Sequence, residues 1–208
     1  MAAHDREGAW RLESPSAHRT YYDEWAPTYE ETFLSATGYR VPEDVARVFL
    51  ERSGPSDSPV ADLGCGTGAL GRALGRADVE GFDISPGMLD QARSSGAYRD
   101  LHCVDLTSAE PARRFGGIVS SGTFTMGHLG PEGLDMVLGL GRREALVVIG
   151  VNARHFAEAG FAPALAALMA TGRITDPDVE TVASYAGQGS DGSDENSTCL
   201  VAFRILSA

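Results

Sequence analysis

Residues 60 to 68 read Val-Ala-Asp-Leu-Gly-Cys-Gly-Thr-Gly, and Asp83 closes the apolar stretch Val79-Glu80-Gly81-Phe82. Glycines at a strand-to-helix turn let the backbone approach a ligand and point free N–H groups at it. An acid at the end of the next strand can accept from the two vicinal hydroxyls of a ribose. Together they are the means by which an open α/β sheet holds a nucleoside-containing cofactor. Spacing alone leaves the cofactor open: Gly64, Gly66 and Ala69 also fit the dinucleotide pattern G-x-G-x-x-G/A, and Asp83 lies nineteen residues after Gly64, where a dehydrogenase keeps its ribose-binding acid. Asp62, two residues before Gly64, weighs against a pyrophosphate, which it would repel, and towards the cationic methionine end of S-adenosylmethionine.

Fewer residues offer proton transfer. His128 sits in the glycine-flanked loop Ser-Ser-Gly-Thr-Phe-Thr-Met-Gly-His-Leu-Gly, 120 to 130, beside Phe124 and Met126. It is the candidate general base, able to titrate near neutrality. His155, after Asn152, has a weaker claim, and His4 and His18 fall in an N-terminal stretch read as exposed. Tyr21, Tyr22, Trp25 and Tyr29 recur at nearly helical spacing. They suit an amphipathic helix laid on the core, or a lid whose tyrosine hydroxyl meets the cofactor's carboxylate, and one helix can do both. Asp191, Asp194 and Glu195 crowd a polar loop without the ligand spacing of a calcium loop, so a solvated turn and no metal is expected.

The elements that must position these groups follow an alternating pattern. A helix opened by Pro42 and stopped near Gly54 precedes strand Val60–Leu63; helix 69–76, strand Val79–Ile84 and a helix opened by Pro86 come next. Strands at 100–106, 115–120 and 145–151 enclose a helix over 131–140, and a helix over 163–170 ends at Gly172. The runs 180–185 and 199–206 flank a Gly/Ser/Asp-rich loop, which joins a hairpin more readily than a crossover. The expected fold is α/β: a Rossmann-like, seven-stranded, mostly parallel sheet with an antiparallel last strand and helices on both faces. Residues 1–20 are expected as a flexible tail and 21–208 as one domain, with 21–55 serving as N-terminal lid and helix.

Composition narrows the function classes. Seventeen Lys and Arg against 29 Asp and Glu give 208 residues a net charge of −12, which disfavours binding nucleic acid through its phosphates. Arg113-Arg114 and Arg142-Arg143 are two-residue clusters at element ends. Three cysteines without paired spacing, no leader-like N-terminus and no long apolar run point to a cytoplasmic chain that neither spans a membrane nor relies on disulfides.

Asp-Leu-Gly-Cys-Gly-Thr-Gly, followed by Gly-Phe-Asp-Ile-Ser-Pro-Gly-Met-Leu-Asp-Gln-Ala at 81 to 92, resembles the class I S-adenosylmethionine-dependent methyltransferases. Tyr-Tyr-Asp-Glu-Trp-Ala-Pro-Thr-Tyr-Glu at 21 to 30, with Gly-Tyr-Arg-Val-Pro after it, is similar to the small methyltransferases of the Williams-Beuren-region type. The resemblance implies that Gly64, Gly66 and Gly68 line the methionine moiety, Asp83 takes both ribose hydroxyls, Ile84 and Met88 border the adenine, and Asp105 accepts from its amino group. Tyr21, Asp62, Cys65, Leu106 and Ser121 complete the implied cofactor set. Gly116 in place of a usual Asp, and Gly-Arg-Arg-Glu at 141 to 144 in place of Pro-Gly-Gly, depart from the pattern away from the cofactor. The implied activity is in-line methyl transfer to a small molecule. Its rivals are S-adenosylmethionine binding without methylation and an NAD-dependent oxidoreductase.

Overall fold

The computed structural model describes residues 4–108, 114–187 and 196–207. Two short helices come first, α1 (Arg6–Trp10) and α2 (Pro15–Trp25), each opened by a side chain that accepts from a backbone amide: Asp5 from Gly8 and Ser14 from Ala17. A wide-turned helix over Glu30–Ser35 leads to α3 (Val41–Arg52), with Pro42 and two acids in its first turn and Val45, Val48 and Phe49 buried. The sequence suggests a tail over residues 1–20; the structure has helices over much of that stretch. Their interior-facing groups are aromatic, so they have a face to bury.

The alternation that follows is β1 (Val60–Leu63), α4 (Ala69–Leu74), β2 (Val79–Asp83), α5 (Pro86–Ser95), β3 (Asp100–Cys103) and β4 (Phe115–Phe124). Then come α6 (Gly133–Leu140), β5 (Gly141–Asn152), α7 (Ala153–Glu158), α8 (Phe161–Ala170), β6 (Asp178–Ala183) and β7 (Ser197–Arg204). Seven strands form one sheet in the order β3-β2-β1-β4-β5-β7-β6. The first five run parallel, β7 is antiparallel to β5, and β6 is antiparallel to β7. This is the expected fold, with the hairpin where the polar loop placed it.

One face of the sheet buries Phe115, Ile118, Leu138, Phe161 and Leu165; the other buries Phe49, Val60, Leu70 and Val148. Strand order reverses at β1, whose neighbours are β2 and β4, so the crevice beyond its carboxyl end is where an open sheet of this type binds ligands.

Some boundaries move. β3 ends at Cys103 rather than reaching Leu106: the Val104 amide donates to the Asp83 carbonyl at 2.8 Å, after which Asp105 turns the chain by accepting from the Thr107 amide and hydroxyl. β5 starts at Gly141, so Gly-Arg-Arg-Glu lies within the strand, and Glu144 takes a left-handed φ of 66°. Both departures from the family pattern meet there. Arg142 donates to the carbonyls of Ser56 and Ser58, and a Cβ at Gly116 would stand 2.5 Å from its guanidinium.

Candidate functional site

The glycine turn is fixed from two sides. The amides of Gly64 and Cys65 donate to the Phe82 carbonyl at 2.8 and 3.0 Å, tying the turn to β2. From β4, the hydroxyls of Ser120 and Thr123 donate to the Leu63 carbonyl at 2.7 and 2.9 Å. Gly64 and Gly66 hold φ of 69° and 52°, in the left-handed region that a side chain opposes. A Cβ at Gly64 would overlap the Thr123 hydroxyl, whereas one at Gly66 would meet nothing within 4 Å. The turn is thus packed behind and open in front.

Asp83 stands at that open front. Its two carboxylate oxygens accept from the amides of Gly66 (2.8 Å) and Ser85 (2.9 Å), which fixes the plane of the group and leaves each oxygen a further lone pair. Burial pushes its pKa upward, against the lowering effect of these backbone donors. Asp62 lies fully buried behind the turn. One oxygen accepts from the Tyr98 hydroxyl at 2.7 Å; the other has no partner among the described residues. Burial, with repulsion from Asp83, pushes its pKa up to about 7 despite the Tyr98 bond. Asp83 at the front of the turn attracts a cation, and Asp62 behind it adds charge as pH rises through about 7.

A cavity of about 350 Å³ opens from this turn, within the size range of small-molecule sites. Gly64, Gly66, Asp83, Ile84, Met88, Asp105, Leu106 and Ser121, all from the expected set, are among the residues that line it. Four others from the expected set take different places. Gly68 caps α4 in a left-handed conformation, Cys65 is buried with its thiol pKa pushed up by desolvation, and Asp62 is covered by the turn. Tyr21 exchanges hydrogen bonds with the Asp5 backbone, accepting from its amide and donating to its carbonyl, both at 2.8 Å, and so joins α1 to α2. Its neighbour Tyr22 faces the cavity instead.

Much of the remaining wall is aromatic, with Trp10, Tyr22, Trp25, Tyr29, Phe33, Tyr39 and Tyr185 on it. The N-terminal segment that carries most of them is latched to the cofactor end. Asp23 accepts from the Ser85 hydroxyl (2.6 Å) and the Gly87 amide (2.8 Å), at the start of α5. Glu30 accepts from the Thr67 hydroxyl (2.6 Å) and from Arg72 (2.7 Å), at the start of α4.

His128 lines the cavity with both ring nitrogens engaged. Nδ1 lies 3.0 Å from the Met126 carbonyl, which can only accept, so Nδ1 carries the proton and Nε2 accepts from the Tyr22 hydroxyl at 3.0 Å. Burial lowers its pKa to about 4. His18, expected at the surface, lies half-buried on the cavity wall with its ring centroid 4.4 Å from that of His128. Its Nδ1 donates to the Ser14 carbonyl. His155 bonds the Leu129 carbonyl through Nε2 and stacks edge-on against Phe161, off the cavity wall. Tyr98, Asp23 and Glu30 escaped the sequence reading. Polar residues on helices and loops have no spacing signature; only Gly71, which gives Tyr98 room and donates to its hydroxyl, hints at one of them.

Residues 60–141 match the methyltransferase domain family. Methyltransferase-like protein 27 of Homo sapiens is 37% identical over 86 residues, a stretch that spans 39% of this chain and 35% of the human protein, so about a third of that relative is matched. The fold is that of the magnesium protoporphyrin IX methyltransferase of Synechocystis, solved with bound S-adenosylmethionine: TM-score 0.65, 17% identity, covering 93% of this chain and 98% of that one. It is also that of the N-methyltransferase NodS of Bradyrhizobium japonicum in complex with S-adenosyl-L-homocysteine, at TM-score 0.67 and 16% identity over 90% of this chain and 97% of that one. Among the described residues no cluster of three or more His, Cys, Asp or Glu could hold a metal, and no helix is long and apolar enough to cross a membrane. Asp191, Asp194 and Glu195 lie outside the described residues.

Proposed function

We propose that the chain uses S-adenosylmethionine to methylate a small molecule held at the aromatic end of the cavity. One observation carries this reading: a ribose-ready carboxylate, Asp83, is fixed by the Gly66 and Ser85 amides at an open glycine turn, with a second buried carboxylate, Asp62, behind it. Two acids there oppose the pyrophosphate of NAD and suit a sulfonium and an ammonium. Asp83 accepts from both ribose hydroxyls; Ile84 and Met88 flank the adenine; Asp105 takes its amino group; the turn from Gly64 to Gly66 accommodates the methionine part. Similar folds crystallised with S-adenosylmethionine or S-adenosylhomocysteine support the same choice.

When bound, that cofactor supplies a methyl group on a good leaving group. The chain's own work is then to orient the acceptor and exclude water. The N-terminal segment does both, since its aromatic side chains wall the cavity and Asp23 and Glu30 tie it down over the turn. For His128 to take an acceptor proton, Tyr22 must first release Nε2. A small acceptor suits a cavity of about 350 Å³, and the charge of −12 disfavours nucleic acid. Free thiols at Cys65, Cys103 and Cys199 fit a reducing cytoplasm.

Calorimetric titration with S-adenosylmethionine, S-adenosylhomocysteine and NAD tests the assignment. Micromolar or tighter binding of both adenosyl ligands, and none of NAD, is expected. NAD binding without adenosyl-ligand binding refutes it. Release of S-adenosylhomocysteine with any member of a metabolite panel then separates transfer from mere binding.

A further inference from the structure

Six rings follow one another along the cavity wall. Their centroids step from Tyr22 to Trp25 (6.1 Å), to Tyr29 (4.8 Å), to Phe33 (5.2 Å), to Tyr39 (5.2 Å) and to Tyr185 (5.7 Å), and all six line the chamber. The arc reaches the carboxyl end of β4, where a Cβ on Gly122 would come within 3.3 Å of the Tyr39 hydroxyl. Faces of Trp and Tyr rings carry negative potential and attract cations, most strongly when water is excluded.

The charges on the cavity wall point the same way. Among the described residues, Glu13, Asp83 and Asp105 line it against one guanidinium, that of Arg6. Arg6 itself lies 4.6 Å over Trp10 and 5.4 Å over Tyr185, so this aromatic surface already holds one cation at its outer end. The stretch from Trp25 to Tyr39 lies farther along the arc.

We propose that the arc from Trp25 to Tyr39 is a cation–π seat and that the acceptor is an amine, delivered as an ammonium and leaving as a methylated ammonium. This rests on the methyltransferase reading above. An ammonium must shed its proton to water before reaction, since only the neutral amine has the lone pair. In the transfer an N–C bond forms on that lone pair as the C–S bond of the adenosyl sulfonium breaks, its electron pair staying on sulfur. Positive charge passes from sulfur to nitrogen and no proton leaves in the step. The arc therefore faces a cation on delivery and again on release, and no free imidazole is required, which agrees with the engaged nitrogens of His128.

Three probes of one shape test this on the full chain loaded with S-adenosylhomocysteine: choline, its neutral isostere 3,3-dimethylbutan-1-ol, and the anion 3,3-dimethylbutyrate. Calorimetry or tryptophan fluorescence is expected to show choline binding at least about tenfold tighter than the alcohol. Phe33→Leu and Tyr39→Leu should erase that preference, while Tyr39→Phe, which keeps the ring, should retain most of it. Equal binding of choline and the alcohol, tighter binding of the anion, no binding by any probe, or a preference that survives both leucine variants overturns the proposal. Titration with S-adenosylhomocysteine separates the two levels. If it binds and choline shows no preference, only the amine inference falls; if it does not bind, the methyltransferase reading falls first.

Discussion

The two ends of the cavity are built by different means. The cofactor end is made of main chain: left-handed glycines, a carbonyl pinned by Ser120 and Thr123, and amides that aim the Asp83 carboxylate. The aromatic wall is made of side chains: Tyr22 and Trp25 on α2, Phe33 on the wide-turned helix, and Tyr39 and Tyr185 on an isolated bridge. Main-chain devices tolerate few substitutions and leave a spaced signature, whereas a wall of rings can be assembled from many positions. The contrast predicts brittle behaviour at one end and graded behaviour at the other.

The sharpest test of brittleness is Gly64→Ala. The new methyl must enter a left-handed conformation and displace the Thr123 hydroxyl from the Leu63 carbonyl. A stability loss of roughly 2 to 4 kcal/mol is expected from overpacking and backbone strain together. Denaturant unfolding measures it. Replacing an aromatic wall residue, as in Phe33→Leu, should cost much less, because Phe33 is only half-buried. Equal losses in the two variants would erase the distinction.

Next in size is Asp83→Ala. Two charge-assisted hydrogen bonds to ribose hydroxyls would be lost, which corresponds to a roughly 100-fold or greater drop in S-adenosylhomocysteine affinity by calorimetry. Tyr39→Leu, at the other end, should leave that affinity within about threefold. If both variants weaken the adenosyl ligand alike, the cavity has no such division.

This division also explains what was legible beforehand. Asp62, Gly64, Gly66 and Asp83 stand out in sequence because turn geometry demands those residue types at that spacing, and the sheet order follows from strands alternating with helices. Asp23, Glu30 and Tyr98 did not stand out, since a side chain that latches two elements needs only reach. Tyr21 and Tyr22 show the limit well. Both are aromatic neighbours on α2, yet one turns outward to the Asp5 backbone and the other inward to His128, a choice fixed by the helix's rotation on the sheet. Likewise, the departures at Gly116 and Gly-Arg-Arg-Glu read as two separate changes until Arg142 is seen filling the space beside Gly116.

pH distinguishes the two ends by sign. Burial pushes the Asp62 pKa up to about 7, above the ordinary aspartate value of 3.8, so the folded chain binds the extra proton between those limits. Its contribution is present at low pH and is lost as pH rises from about 4 to about 7. His128 is depressed to about 4 from 6.5, so the unfolded chain binds the extra proton there. Its contribution is present above about 6.5 and is lost as pH falls towards 4. Each pH unit within a window is worth at most about 1.4 kcal/mol. Asp62→Asn should therefore raise stability at pH 8 relative to pH 5, and His128→Asn should raise it at pH 5 relative to pH 8, both followed by thermal unfolding. Parallel shifts in the two variants would contradict the burial that drives both titrations.

The smallest effects belong to the latches that join the two ends. Asp23 accepts from Ser85 and Gly87 at the start of α5, beside Asp83, so Asp23→Ala removes two hydrogen bonds and should cost about 1 kcal/mol. Glu30 is about half-exposed where it meets Arg72, and Glu30→Gln should cost a few tenths of a kcal/mol at most. The more telling quantity is the rate of release. If these acids hold the aromatic wall over the glycine turn, each variant should speed S-adenosylhomocysteine dissociation several-fold, Asp23→Ala more than Glu30→Gln, in stopped-flow tryptophan fluorescence. Asp83, the proposed ribose acceptor, keeps its Gly66 and Ser85 donors in both variants, so slower association is not expected. Unchanged dissociation in both would mean that the aromatic end opens without breaking these contacts, and that the two ends are joined through the Tyr22–His128 bond instead.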